Sequence, residues 1–268
     1  MRKSMYVCLA MFALAVAGCS SDDDKKEASP IVADNSALVI FSDPEMKALM
    51  LQFDKNKDGQ ISQEEASEVT YLDIPFEYAI KSLADLRNFV NLETLKCNNM
   101  TIGRQRSSVT LSGVQDLSKL TKLKYVEFTG WSYNDFSVKL PESVVSVNYH
   151  YSNGPSKNFD WSTKYANLEE LNLELGNSDW EKEDWNFTGY KNLKYLYLGY
   201  FYAGTEPKFD LRDTKLLTDG SKFQFARTSG PWVPGNELLP VILKVTDAQK
   251  AYINSNNISF FGYEIQYE

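Results

Sequence analysis

The chain has 268 residues, 43% of them hydrophobic, and a formal charge of −8 from 36 acidic and 28 basic side chains. An acidic surface argues against nucleic acid as a partner and against electrostatic attachment to anionic lipid. The length supports a sizeable core, in one large or two small units.

The chain begins with a basic stub, Met1-Arg-Lys-Ser4, and an apolar run from Met5 to Ala17. Thirteen residues are too few to span a bilayer, which takes about 18–20, but they suit the core of a secretory signal. The ending Val16-Ala17-Gly18-Cys19 resembles a bacterial lipobox. That resemblance implies removal of residues 1–18 and a lipid on the Cys19 thiol. Cys8 then leaves with the signal, so Cys97 has no cysteine partner for a disulfide or a metal site. Removing Arg2 and Lys3 leaves 26 basic against 36 acidic residues, or −10. The stretch Ser20 to Glu27, with Asp22, Asp23 and Asp24, resembles the export signal of Bacteroides-type lipoproteins. It implies an outer-membrane lipoprotein exposed at the cell surface. A solvated tether carrying no address is the alternative reading of the same residues. Residues 19–37 are expected to be a disordered acidic tether, with membrane contact through the lipid only.

Ser42-Asp-Pro-Glu45 predicts a helix start, a capping box with an early proline. Met46, Leu49, Met50 and Phe53 follow at i, i+3, i+4 and i+7, one apolar face. The stretch DKNKDGQISQEE, Asp54 to Glu65, comes next. It resembles the twelve-residue calcium loop of an EF-hand at every position. The resemblance implies oxygen ligands from Asp54, Asn56, Asp58, the Gln60 carbonyl, Ser62 through water, and Glu65, with Gly59 at the sharp turn. Calcium, a hard cation taking six to eight oxygens, is the implied cofactor. Ile61 is the apolar residue that anchors the loop, and Ser62 with Glu65 caps the exiting helix. A turn rich in Asp, Asn and Gly that binds nothing is the alternative. Residues 38–68 read as an EF-hand-like helical cap, and its single loop favours a stabilising ion over a sensor.

From Val69 onward one signature recurs: an aliphatic, two others, an aliphatic, one other, an apolar. It reads Val69-Leu72-Ile74, Leu92-Leu95-Cys97, Leu123-Val126-Phe128, Val144-Val147-Tyr149, Leu168-Leu171-Leu173 and Leu193-Leu196-Leu198, at intervals of 23, 31, 21, 24 and 25 residues. Pattern and period resemble the L-x-x-L-x-L core of a leucine-rich repeat. The resemblance implies an α/β solenoid over 69–218, in which each unit covers its neighbour's apolar face. Leu83, Leu86, Leu117 and Leu120 are expected to fill the coils, and Ile102 to Ser108 to loop outward. The family's Asn or Cys, three positions past the last apolar residue, is missing. Glu77, Met100, Trp131, Ser152, Gly176 and Phe201 stand there, so the coils are expected to be irregular. The first coil has no neighbour on its outer side, and the helical cap would cover it.

Beyond Asp219 the pattern fades. Leu238 to Val245 predicts a buried strand, Thr246-Asp-Ala-Gln249 a capping box, and the alternation of Phe261, Tyr263, Ile265 and Tyr267 a half-buried strand. Residues 219–268 read as a small α+β closing cap. The order of parts from Cys19 to Leu217 resembles the leucine-rich-repeat surface lipoproteins of Bacteroides-type bacteria, which implies adhesion or protein binding.

No HExxH, CxxC, G-x-S-x-G or glycine-rich phosphate loop is present, and His150 is the only histidine. The pair Glu181/Asp184 reads as a solvated face. A non-catalytic, monomeric module binding a glycan or protein ligand is expected. The alternative is an accessory or weakly catalytic part in polysaccharide processing, which two carboxylates facing each other about 5–10 Å apart in a pocket would favour. Aromatic clusters at 131–133, 148–151, 158–161 and 195–200 fit either core packing or a recognition surface. Strand alternation turns one set of residues outward on the shared sheet. The expected ligand face is Tyr125, Glu127, Asn148, His150, Glu170, Asn172, Tyr195 and Tyr197. Tyr125 and Tyr195 should stand about 14 Å apart, three strand spacings along.

Overall fold

The computed structural model describes residues 37–99, 111–130, 136–151, 163–174, 184–201, 207–227, 240–260 and 264–268. Several sequence expectations fall outside the described residues: the signal and Cys19, the acidic run, the 102–108 insertion, the aromatics at 131–133 and 158–161, Glu181, Leu238, Phe261 and Tyr263. Residues 33–268 form one compact unit, built as a parallel β-solenoid.

Its main sheet has seven strands, in the order β1 (Tyr71–Ile74), β2 (Thr94–Asn99), β4 (Tyr125–Gly130), β6 (Ser146–Tyr151), β7 (Glu170–Glu174), β9 (Tyr195–Phe201) and β11 (Lys222–Arg227). Every neighbouring pair is parallel, and the register follows the recurring signature. Leu72 stands opposite Leu95, then come Val126, Val147, Leu171 and Leu196. Ile74, Cys97, Phe128, Tyr149, Leu173 and Leu198 form a second column two residues on. Alternate residues of a strand share a face, so both columns point inward, and none of the twelve is more than 2% exposed.

Ahead of the strands the apolar spacing changes from two to three. Leu83, Leu86, Phe89 and Leu92 are buried in one coil, and Phe187, Tyr190 and Leu193 in another. Backbone bonds keep the same step: Leu86 N to Leu83 O at 3.0 Å, Phe89 N to Leu86 O at 2.9 Å, Leu92 N to Phe89 O at 3.0 Å. Side chains three apart eclipse in this tight geometry. A leucine at every third residue therefore bends the chain into an arc with its apolar side inward. The expected coil residues Leu83, Leu86, Leu117 and Leu120 lie in these arcs, each at most 1% exposed.

Short strands close the coils. β3 (Gly113–Asp116) pairs with β5 (Phe136–Lys139), and β8 (Asp184–Asn186), β10 (Lys208–Asp210), β12 (Val241–Lys244) and β13 (Ile265–Tyr267) form a second parallel sheet. Their inward residues meet the main sheet ring to ring. Phe136 lies 5.9 Å from Phe128, and Phe209 lies 5.3 Å from Phe223, between centroids. The α-helices described are α1 (Pro44–Met50), α2 (Gln63–Glu68) and α3 (Asp247–Ser255), toward the two ends. The α/β expectation therefore narrows to a β-solenoid, because the short segments that close the coils are strands that alternate with period two, as in Phe136/Val138 and Val241/Leu243, rather than helices.

Three further expectations need correction. The pattern predicts an end to the repeats at 218, yet β11 adds a seventh strand. Its first aliphatic position is Gly220 and its inward residues begin with Phe223, opposite Leu196, which hides the signature. The cap of α1 is Asp43 rather than Ser42: its carboxylate accepts from Glu45 N at 3.0 Å. Coil-to-coil amide bridges do exist, but one residue ahead of the first aliphatic instead of three past the last. Asn91, Asn167 and Asn192 donate to Ser67 O, Glu142 O and Ala166 O of the preceding coil, at 2.6, 3.0 and 2.8 Å. The predicted capping box at Thr246 and Gln249 is formed.

Cys97 is 1% exposed, and burial, with a smaller contribution from Asp73, pushes its thiol up to about 12. A thiol reagent at pH 8 should therefore modify the Cys97 peptide no faster than the protein unfolds. Prompt labelling of the native protein would contradict this packing.

Candidate functional site

Two regions hold the residues singled out by the sequence: the loop 54–65 and the outward face of the main sheet. The loop runs from the end of α1 into α2. Lys57 and Gly59 take left-handed φ values of 61° and 81°, the second at the position that must turn sharply. Asp54, Asn56, Asp58 and Glu65 each accept from backbone N–H groups of the loop. Asp54 accepts from Lys57 N at 2.7 Å and from Gly59 N at 2.8 Å; Asn56 Oδ1 accepts from Asp58 N at 2.9 Å; Asp58 Oδ1 accepts from Gln60 N at 2.8 Å. Glu65 Oε1 accepts from Lys55 N at 2.7 Å, and Oε2 accepts from Ser62 N and Ser62 Oγ, both at 2.9 Å. Ser62 Oγ in turn accepts from Glu65 N, completing a capping box. Burial raises the Glu65 carboxyl, but the bonds from Ser62 and Lys55 outweigh it and hold it below its ordinary value.

The donor set is all oxygen, with three carboxylates, and so fits a hard cation. Its spacing is a separate matter. Among the described residues no three His, Cys, Asp or Glu side chains converge closely enough to hold a metal. Glu65 faces Ser62 and Lys55, and Asp58 Oδ2 accepts from Asn56 Nδ2 at 3.1 Å. Both carboxylates are thus engaged with groups of the loop itself. Ile61 is 1% exposed. Its carbonyl accepts from Val39 N and Gln63 N donates to Ala37 O, both at 2.8 Å, in an antiparallel bridge centred on Leu38 and Ser62.

The cap is tied to the first coil by a residue the sequence reading did not single out. Asp85, 1% exposed, accepts from Ser42 N at 2.9 Å, Ser42 Oγ at 2.8 Å and Asp43 N at 3.0 Å. Asp43 Oδ2 accepts from Lys81 N at 2.8 Å. No local pattern marks such a carboxylate, since its partners lie more than forty residues away along the chain.

On the main sheet the register sets the predicted face in rows. One row reads Tyr71, Thr94, Tyr125, Ser146, Glu170, Tyr195 and Lys222. The next reads Asp73, Lys96, Glu127, Asn148, Asn172, Tyr197 and Gln224. His150 stands opposite Glu174 in a third row, and the side chains of both lie outside the described residues. Tyr71 and Tyr125 are 50% and 49% exposed, while Tyr195 and Tyr197 are half-buried. Lys96 Nζ pairs with Glu127 at 3.3 Å, and this contact raises the lysine's pKa. Desolvation raises the Asp73 carboxyl, partly countered by Lys96. Asn148 Oδ1 and Asn172 Oδ1, adjacent in register, are shielded and find no donor among the described residues. A shallow depression of about 290 Å³ opens here, lined in part by Thr94, Lys96, Tyr125, Glu127, Ser146 and Asn148. The seventh strand adds Lys222 and Gln224, with Lys222 Nζ 5.5 Å from the Tyr195 ring centroid. No protein-family model matches the chain, and no curated protein matches it.

Proposed function

We propose that this protein is a non-catalytic recognition module of the leucine-rich-repeat surface-lipoprotein kind. In this reading a lipid on Cys19 holds it to the outer membrane, one calcium ion stabilises its EF-hand-like cap, and the main sheet meets a glycan or protein ligand. The observation that carries the reading is the pair of rows on that sheet. Polar groups of both signs are framed by half-exposed tyrosines on a rigid parallel sheet. Tyrosine supplies area and a hydroxyl at low entropic cost, and strand-borne side chains are ordered before the ligand arrives.

Catalysis in polysaccharide processing is the weaker reading. Two facing carboxylates are the requirement, and the described lining of the sheet depression holds one, Glu127, already paired with Lys96. Screening the protein against glycan and matrix-protein arrays tests the recognition reading. Saturable binding without turnover is expected; hydrolysis of a bound polysaccharide would replace this reading with the alternative.

Calcium is expected to stabilise rather than switch. An extracellular loop of this kind binds with a Kd of about 10⁻⁴–10⁻³ M. Saturation at about tenfold over Kd adds about 1.4 kcal/mol, or about 3–5 °C in melting temperature for a domain of this size. Glu65→Gln should remove the calcium-dependent rise. A melting curve indifferent to calcium and to chelator would refute the metal reading.

A further inference from the structure

The lone loop raises a question of pairing, and the bridge at its back points to an answer. We infer that the segment Ala37–Val39 is coupled to the calcium loop: its pairing with Ile61–Gln63 and cation binding by the loop strengthen one another. The inference rests on the calcium reading above and goes beyond it, because none of 37–39 carries a proposed ligand.

Geometry carries the coupling. Ile61 and Gln63, which make the two bonds of the bridge, lie between the implied ligands Gln60, Ser62 and Glu65 along the same few residues of backbone. Fixing the Gln60 carbonyl and the Glu65 carboxylate around a cation therefore fixes the Ile61 carbonyl and the Gln63 N–H. Those are the groups that bond Val39 N and Ala37 O, each at 2.8 Å. Conversely, a paired strand holds the loop backbone in the conformation that the cation needs, lowering the entropy lost on binding.

The segment is also poised to respond. Val39 is 7% exposed and packs into the core, but its neighbours Leu38 and Ile40 are 42% and 83% exposed. Two backbone hydrogen bonds and one buried valine only just offset the entropy of ordering the segment. On its far side the chain is pinned at Ser42 and Asp43 by Asp85. The pinned end keeps the segment close to the loop, so order at 37–39 should follow calcium. Coupling between sites is reciprocal: whatever calcium gains from the segment, the segment gains from calcium.

The test uses the full chain in detergent, with calcium chloride as the probe and magnesium chloride as the control. Calorimetric titration of wild type and of Val39→Pro, which lacks the donor to Ile61, reads the affinity. Hydrogen exchange across 37–41 in wild type reads the order of the segment and needs no variant to fold. Slower exchange at 37–41 on adding calcium, with Val39→Pro binding about tenfold more weakly, is the expected result. If wild type binds calcium but exchange at 37–41 is unchanged, the coupling is wrong and the calcium reading stands. If wild type shows no calcium heat and no exchange change, the calcium reading itself falls and the inference falls with it.

Discussion

Leu171→Ala is expected to destabilise the protein by about 2–5 kcal/mol, a large fraction of the stability of most domains. Leu171 is fully buried on an interior strand, between Val147 and Leu196 in the leucine column. Truncation removes the transfer free energy of the side chain and leaves a cavity that the flanking coils cannot fill. Each of those coils is held at its own spacing by a ladder of parallel hydrogen bonds, so neither can collapse toward the gap. In a solenoid, stability is a sum over repeats and their interfaces, and this change weakens two interfaces at once. Urea unfolding should show a lower midpoint with an unchanged slope. A loss below 1 kcal/mol would mean that the column is not the continuous core described here.

The second large effect is expected at Asp85. Alanine there leaves the buried N–H of Asp43 without its acceptor, along with the N–H and hydroxyl of Ser42, a residue that is itself exposed. Hydrogen bonds to a charged group contribute about 1.5–3 kcal/mol each, and a buried donor left unmade costs a comparable amount. The three bonds share one carboxylate and are not additive, and water can reach Ser42, so a total of about 2–4 kcal/mol is expected. Damage should concentrate in the cap. Exchange should accelerate across 37–68, while the interior strands β6 and β7 keep most of their protection. Asp85→Asn retains the shape and one acceptor and should cost about half as much. Wild-type melting and cap exchange in Asp85→Ala would show that the cap is held by its apolar contacts alone.

Much of the architecture was legible because two simple periods carry it. A step of two places Leu72 and Ile74 on one side of a strand, and a step of three places Leu117, Leu120 and Leu123 along an arc. What escaped the sequence lacks a period. The coil that leads into β11 presents Gly220, and the strand presents Phe223, where the other coils carry aliphatic residues. The amide bridges of Asn91, Asn167 and Asn192 sit one residue ahead of a leucine, and that repeated Asn-Leu step was the available signal. Asp43 took the helix cap from Ser42 because Ser42 is itself engaged by Asp85, a long-range partner that no local pattern shows. The outward rows of the main sheet were readable from alternation alone, since a parallel register carries each position straight across to the next strand. Which of the aromatics fill the core was not. Tyr149 follows Asn148, which belongs to the outward row, and its own ring lies 5.2 Å from Phe128 inside the solenoid.

The central claim is that the outward face of the main sheet is where a ligand is met, and one comparison tests it most directly. Wild type, the double variant Tyr125→Ala/Tyr195→Ala and the control Val114→Ser are probed side by side on the same glycan and matrix-protein arrays. Tyr125 and Tyr195 share one row of that face, whereas Val114 is 71% exposed on β3. All three should melt within a few degrees of one another, because surface substitutions away from caps and core change stability little. The account predicts that the double variant loses at least tenfold in affinity for whatever wild type binds, while Val114→Ser binds as wild type does. Wild-type binding by the double variant would contradict the account and move the search to the C-terminal end of the chain.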